Sequence, residues 1–437
     1  MKNSGKQNYS IYNVGCAVRT MMTGGAHGAP YATAPTPISA PSASLRQIFF
    51  LILLFLITST QANSAEWSGN ISTQWRHFFN DPISPGSQQH NDYLSAAAEP
   101  EFYHAWDDKQ QSLTITPFVR IDQHDDERSH GDIRELIWRN SFDNWQIKAG
   151  IGKVFWGVTE SQHLVDVINQ SDTVENIDGE DKLGQPMIQT TLQRDWGNIE
   201  LFILPYFRER TFAGVEGRPL ALPVNTHQSS FESKDEQQHV DYAARVFIPV
   251  DILEIGLSYF DGTSREPLFN YDPISSSFIP YYLQMQQTGL AIQATTDEWL
   301  WKLEAIHRSW TAEDFTAATG GFEYTFVGVF DSSADIGWVA EYLYDDRGNM
   351  ATTFLEHDVM MGLRLALNDE ASTDALLGFI IDKDTHDTLI SLEASRRLGS
   401  NWKLTVEARA FSKIDSTSLV YGIRADDYIQ LDLAYYF

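Results

Sequence analysis

The stretch that most constrains this chain is its last, Tyr428 to Phe437 (YIQLDLAYYF). Taken with a period of two, one face is Ile429, Leu431, Leu433, Tyr435 and Phe437. The other face is Tyr428, Gln430, Asp432, Ala434 and Tyr436. Successive strand side chains point to opposite sides, so this is a strand with one apolar and one more polar face. Ten residues is about what a tilted strand needs to cross a hydrocarbon core. Phe437 ends the sequence without a polar tail, so the last strand is expected to be held by what surrounds it.

The same alternation recurs back to Trp67. It marks strands at 67–79, 93–106, 112–123, 132–142, 145–155, 186–195, 198–209, 238–249 and 252–261. It continues at 282–295, 299–310, 321–330, 335–344, 356–367, 374–382, 387–396, 401–412 and 426–437. In 112–123 the apolar face is Leu113, Ile115, Pro117, Val119 and Ile121, against Thr114, Thr116, Phe118, Arg120 and Asp122. The connections alternate between short, such as 143–144, 196–197 and 250–251, and mostly long, such as 80–92, 156–185 and 210–237. Both ends of the strand region fall on the short side.

A soluble β-sandwich also alternates, but its inward face is a dry core. Here one face is nearly free of charge. The other carries Arg120, Lys148, Arg245, Lys302, Glu304, Arg308, Glu341, Arg364, Glu393, Glu407, Arg409 and Asp432. About 18 strands closed into a ring enclose water that accommodates such charges. Tryptophan and tyrosine also gather near strand ends, as interfacial girdles require: Trp67, Trp75, Trp106, Trp138, Trp299, Trp301, Trp310, Trp338, Trp402 and Tyr435 among them. The expected fold is all-β: a transmembrane antiparallel β-barrel of about 18 strands (16–18), with short periplasmic turns and long extracellular loops. No apolar run reaches the ~20 residues of a membrane helix, and mean hydropathy is −0.29.

The first 65 residues hold four bases (Lys2, Lys6, Arg19, Arg46) and no acid, leaving 27 bases against 59 acids further on. Such an acidic balance argues against nucleic acid as a partner, since nucleic acid needs a basic face. The single cysteine, Cys16, precedes the strands, so neither a disulfide nor thiol chemistry is expected in them. Arg46 followed by the apolar run 48–57 and then a small, polar stretch to Ala65 has the layout of a secretory signal peptide. Its tail is long for a signal, and a later start, at Met21 or Met22 for example, would shorten it. The expected division is a leader over 1–65 and a barrel over 66–437.

Signal peptide, strand rhythm, loop asymmetry and terminal phenylalanine together resemble Gram-negative outer-membrane porin-like barrels over residues 66–437. Trp156-Gly157-Val158-Thr159, with Gln185-Pro186 closing the loop, is similar to poorly characterised proteobacterial porin-like proteins. The resemblance implies an integral protein of the outer membrane, passing small hydrophilic solutes, charged ones included, by passive diffusion. It implies that the barrel assembly machinery reads Tyr435 and Phe437 at the closing strand. It names periplasmic chaperones, outer-membrane lipid and lipopolysaccharide as partners, and allows a homotrimer.

In trimeric porins the third long loop folds inward and narrows the barrel. The corresponding loop, 156–185, holds Asp166, Asp172, Glu175, Asp178, Glu180 and Asp181, and His163–Ile168 has the makings of a short helix. Bases on the lumen face are Arg120, Arg139, Lys148, Arg245, Arg364 and Arg409. Acids facing bases across a constriction would set up a transverse field selecting charged or dipolar solutes. The alternative, a solvated loop outside, stays open on sequence alone. The acids of Asp172–Asp181 lack the spacing of a calcium loop. His124 with Asp125, Asp126 and Glu127, and His386 with Asp384 and Asp387, are the nearest to hydrolase groups. No nucleophile motif such as G-x-S-x-G accompanies them. The expectation is therefore no enzyme, no catalytic residues, no cofactor and no metal. An outer-membrane barrel hydrolase, or a closed barrel whose loops bind a partner, is the alternative.

Overall fold

The structure, a computed structural model, describes residues 65–83, 87–311 and 313–437. The leader, with its apolar run and Cys16, lies outside the described residues.

Among the described residues twenty-one strands follow one another. They are β1 (Ala65–Phe78), β2 (Asp92–Trp106), β3 (Gln111–Asp122), β4 (Gly131–Ser141), β5 (Trp145–Gly152), β6 (Gln185–Arg194) and β7 (Gly197–Leu204). Next come β8 (Ser230–Phe231), β9 (Asp241–Val250), β10 (Leu253–Thr263), β11 (Leu268–Asp272), β12 (Ser277–Tyr282), β13 (Gln284–Thr296) and β14 (Trp299–Trp310). The last are β15 (Asp314–Phe326), β16 (Asp335–Asp345), β17 (His357–Ala366), β18 (Asp374–Asp382), β19 (Thr388–Leu398), β20 (Trp402–Ser412) and β21 (Tyr428–Tyr436). Short β8, β11 and β12 form a separate three-stranded sheet in the outside loops; the other 18 make one antiparallel sheet. That sheet closes: β21 pairs with β20 and with β1, in a register running from Asn70↔Tyr436 to Phe78↔Tyr428. Closure removes every edge, which is what a lipid environment demands of β-structure. Among the described residues there is no α-helix.

The local chemistry explains the turns. The tight connections place Asp251, Asp297 and Asn368 at positive φ, where Asp and Asn side chains are tolerated. Each expected strand corresponds to one barrel strand. Two agree to the residue, β14 and β18. The expectation was poorest at β15, which begins at Asp314 rather than 321. Its first half, Thr316 to Gly321, is small and shows no apolar alternation. Gly321 is required there, because a Cβ would sit 1.9 Å from the Ala340 carbonyl oxygen of β16.

The two faces separate cleanly. Leu257, Leu363 and Trp301 point outward and are 49%, 53% and 45% exposed. Soluble monomers do not present apolar side chains in so continuous a belt. Trp299, Trp301, Phe322, Tyr324 and Trp338 stack together near the short turns, joined by Trp67–Phe102 and Trp402–Tyr435. At the other rim, Trp75, Tyr242, Tyr259, Tyr342 and Tyr344 are exposed. Trp67 and Trp75 on β1 lie about 27 Å apart along the strand at ~3.4 Å per residue. A tilt of about 40° brings this to roughly 20 Å, close to the ~25 Å band of an outer-membrane barrel. Trp310 departs from the girdle expected for it: it is buried inside, against Phe315.

Candidate functional site

The site is the lumen, and the loop between β5 and β6 forms it. The loop does not stay outside. Its apolar residues Trp156, Val165, Val167 and Ile168 are buried in one cluster with Phe202, Phe260, Met285 and Ile306 of the inner wall. One side of the lumen is thus occupied by a packed apolar contact.

Two wall carboxylates fasten the loop. Glu304 of β14 is fully buried and accepts hydrogen bonds from the backbone N–H groups of Val158 (2.7 Å), Thr159 (3.1 Å) and Val165 (3.1 Å) and from Thr159 Oγ1 (2.8 Å). Glu341 of β16 accepts from Glu160 N (2.7 Å), Ser161 N (2.8 Å) and Ser161 Oγ (2.6 Å). A carboxylate collecting several N–H donors is the strong kind of hydrogen-bond acceptor. The W-G-x-T stretch is therefore a docking motif. Trp156 packs on Phe202, Gly157 leaves room for the His163 ring, whose Nδ1 a Cβ would approach to 2.7 Å, and Val158 and Thr159 present their amides to Glu304. Sequence reasoning placed Glu304 and Glu341 only among lumen-facing charges. No signal in the sequence marks which wall carboxylates meet the loop amides, 139 to 181 residues away.

The charged residues meet in contact pairs. Glu175 joins Arg120 (2.7 Å), Asp178 joins Arg409 (2.9 Å), and Asp172 joins Arg134 of β4 (2.7 Å). Arg364 holds Glu160 of the loop (2.7 Å) and Glu323 (3.2 Å). Arg245 lies over the Trp156 ring at 5.7 Å. Asp166 pairs within the loop, with Lys182 (3.0 Å), and Glu180 with His163 (2.9 Å). Burial opposes charge on His163, yet Glu180 and Glu304 raise its pKa to about 10, so it stays protonated.

Three expectations need correction. Acids and bases do not face one another across an open gap; most neutralise each other in contact. Arg139 and Lys148 take no part: Arg139 donates to Ser112 Oγ (3.1 Å), and Lys148 has no ion pair among the described residues. Both sit toward the short turns, lower on their strands than Arg120 sits on β3. His163–Ile168 forms a turn rather than a helix. Within Asp172–Asp181, Asp172, Glu175, Asp178 and Glu180 each contact a different base, while Asp181 has carboxylates for neighbours. At the closing strand, Tyr435 and Phe437 are outward and partly exposed, and Phe437 N donates to the Gly69 carbonyl (3.1 Å).

The loop leaves one side of the lumen unfilled. A cavity of about 570 Å³ lies between it and β17–β20, lined by Asp178, Glu180, Arg210, Ser391, Glu393 and Arg409 among others. Gly378 and Ser391 supply little bulk on that wall. Burial raises Asp178 to about 6, although Arg409 lowers it; Arg409 is shared with Glu393 and Glu407. Asp181 keeps contact with solvent, but the protein around it, with Glu175 and Asp178 near, raises it to about 7.

No protein-family model matches this chain, and no curated protein matches it. Solved structures do. It is similar to Wzi, an outer membrane protein of Escherichia coli involved in group 1 capsule assembly and described as a carbohydrate-binding β-barrel (10% identity, 91% of this chain and 89% of that one, TM-score 0.49). It is also similar to OmpT, an outer membrane protein of Vibrio cholerae in trimer form (11% identity, 86% and 100%, TM-score 0.45). A mutant of the Rh. blastica porin aligns at 10% identity over 85% and 100%, with a TM-score of 0.42. The class follows from the barrel itself. An even-stranded closed antiparallel ring, apolar outside and charged inside, is an integral β-barrel of the Gram-negative outer membrane.

Proposed function

We propose that the protein is an outer-membrane channel for small hydrophilic solutes, with its narrowest passage between the inward loop and the β17–β20 wall. The observation that carries this reading is the unfilled side of the lumen, about 570 Å³, lined by charges of both signs. A barrel meant only as a scaffold has no need to line an open space with Glu393, Arg409 and Asp178 beside an apolar seal. Paired charges leave a weak local field, so the passage discriminates mildly by charge and more by size.

Planar-bilayer recording in a KCl gradient tests the reading. Small, ohmic conductance is expected, with an ion preference that depends on pH. Asp178 and Asp181 have pKa values raised to about 6 and about 7, so both are anionic above pH 8 and neutral below pH 5. Cation preference therefore grows as pH rises between those limits. The triple change Asp178→Asn, Glu180→Gln and Asp181→Asn flattens that dependence. A second reading, a sealed barrel that binds a partner through its outside loops, draws on the apolar cluster under the loop. Absence of conductance from correctly assembled protein favours it.

A further inference from the structure

The outside loops bring together three side chains with the chemistry of a metal site. His90 lies between β1 and β2, His124 between β3 and β4, and Glu216 in the long segment after β7. One potential donor atom from each lies within 4.8 Å of the other two. The His90 and His124 rings stack with centroids 3.7 Å apart and planes 17° from parallel, and His90 Nε2 is 3.7 Å from Glu216 Oε2. Neither the lumen nor the loop docking uses these residues.

The positions are built, not accidental neighbours on mobile loops. Tyr93, buried at the top of β2, ties two of them directly: its hydroxyl accepts from His90 N (3.0 Å) and donates to the Glu216 carbonyl (2.5 Å). Its ring meets both imidazoles edge-on. The third is held by Asp122, which accepts from His124 N (3.0 Å). Buried Asp125 joins the His124 and Glu216 segments by accepting from Glu127 N and Gly214 N, each at 3.0 Å. Arg218, buried nearby, donates to the His90 carbonyl (3.4 Å) and to Asp426. Backbones fixed in this way keep the three side chains within reach of one ion, which is what a metal site needs from its scaffold.

We infer that His90, His124 and Glu216 bind a divalent transition metal of the zinc type, which clasps three outside loops at the barrel mouth. Two imidazoles and one carboxylate make a borderline-soft N,N,O set that favours Zn²⁺ over Ca²⁺ or Mg²⁺, which prefer oxygen. Tetrahedral bonds of about 2.0–2.1 Å bring ligand atoms to about 3.3 Å from one another, so the stacked rings must splay on binding. His124 and Glu216 also line an outer cavity of about 650 Å³, so solvent reaches a fourth position.

The test uses metal-stripped, detergent-solubilised barrel titrated calorimetrically with Zn²⁺, with Co²⁺ as a visible-absorption probe of geometry. One Zn²⁺ per chain is expected, with tetrahedral Co²⁺ absorption and no competition from Ca²⁺ or Mg²⁺. His90→Ala and His124→Ala should each weaken binding at least about tenfold, the loss that even outer partners of metal ligands produce. His386→Ala, in a distant loop, should leave it unchanged. Glu216→Gln carries the test should either histidine variant fail to assemble, again with a loss of about tenfold or more. No binding by the wild-type barrel overturns the inference. So does wild-type affinity in either histidine variant or in Glu216→Gln.

Discussion

Changing Glu304 and Glu341 together to alanine is expected to raise single-channel conductance at least about twofold, because the cross-section of a wet constriction sets its conduction. These two carboxylates receive the hydrogen bonds of Val158, Thr159, Glu160, Ser161 and Val165. A hydrogen bond to a charged group contributes about 1.5–3 kcal/mol net, and a buried N–H left without a partner costs about 1–3 kcal/mol. Removing both acceptors thus turns much of the docked loop against itself. His163 also loses Glu304, one of its two carboxylate neighbours. The Trp156 cluster and the ion pairs of Glu160, Asp172, Glu175 and Asp178 with wall arginines would have to hold the loop. Glu304→Gln keeps one acceptor oxygen and should have a smaller effect. Conductance equal to wild type in the double variant, with the barrel assembled, would show that these bonds do not govern the passage.

The second large effect lies on the opposite face of the wall. Leu257 is mid-strand on β10, outward and 49% exposed, with Val246 and Leu290 beside it. Leu257→Arg should destabilise the barrel by about 2–4 kcal/mol, the cost of arginine on the lipid face near the midplane. Thr405→Arg serves as the contrast. Thr405 points inward and is paired with Asp432 of β21, so the new cation meets water and an acid. Its effect should stay within about 0.5–1 kcal/mol. Reversible urea unfolding in lipid vesicles reads both. Equal destabilisation would mean that the two faces do not differ in solvent.

How much of this was legible follows from what each feature depends on. A strand's two faces are a local property, so Leu113 to Ile121 or Ile429 to Phe437 announce themselves. The rhythm of short and long connections is nearly as local, and it yields the ring. β15 was blurred because Thr316 to Gly321 packs by closeness of backbone, not by apolar side chains. The lumen was legible in composition but not in pairing. Arg120 and Glu175 are 55 residues apart and Asp178 and Arg409 are 231 apart. Nothing in period-two patterning says which height on the wall a loop residue reaches. For that reason Arg139 and Lys148 seemed equivalent to Arg120, and Glu304 seemed to be one more wall charge. The three-loop cluster of His90, His124 and Glu216 escaped notice for the same reason.

The account rests on wall side chains alternating between lipid and water, and cysteine accessibility along β19 tests this most directly. From Glu66 on the sequence has no cysteine, since Cys16 is the only one. Single changes Ser391→Cys, Leu392→Cys, Glu393→Cys and Ala394→Cys are placed one at a time in liposome-embedded protein and exposed to a water-soluble maleimide. Positions 391 and 393 should label, while 392 and 394 should resist it and, once tagged with a fluorophore before reconstitution, be quenched by a spin label in the acyl chains. Uniform labelling of all four, or quenching at 391 and 393 instead, would contradict the account.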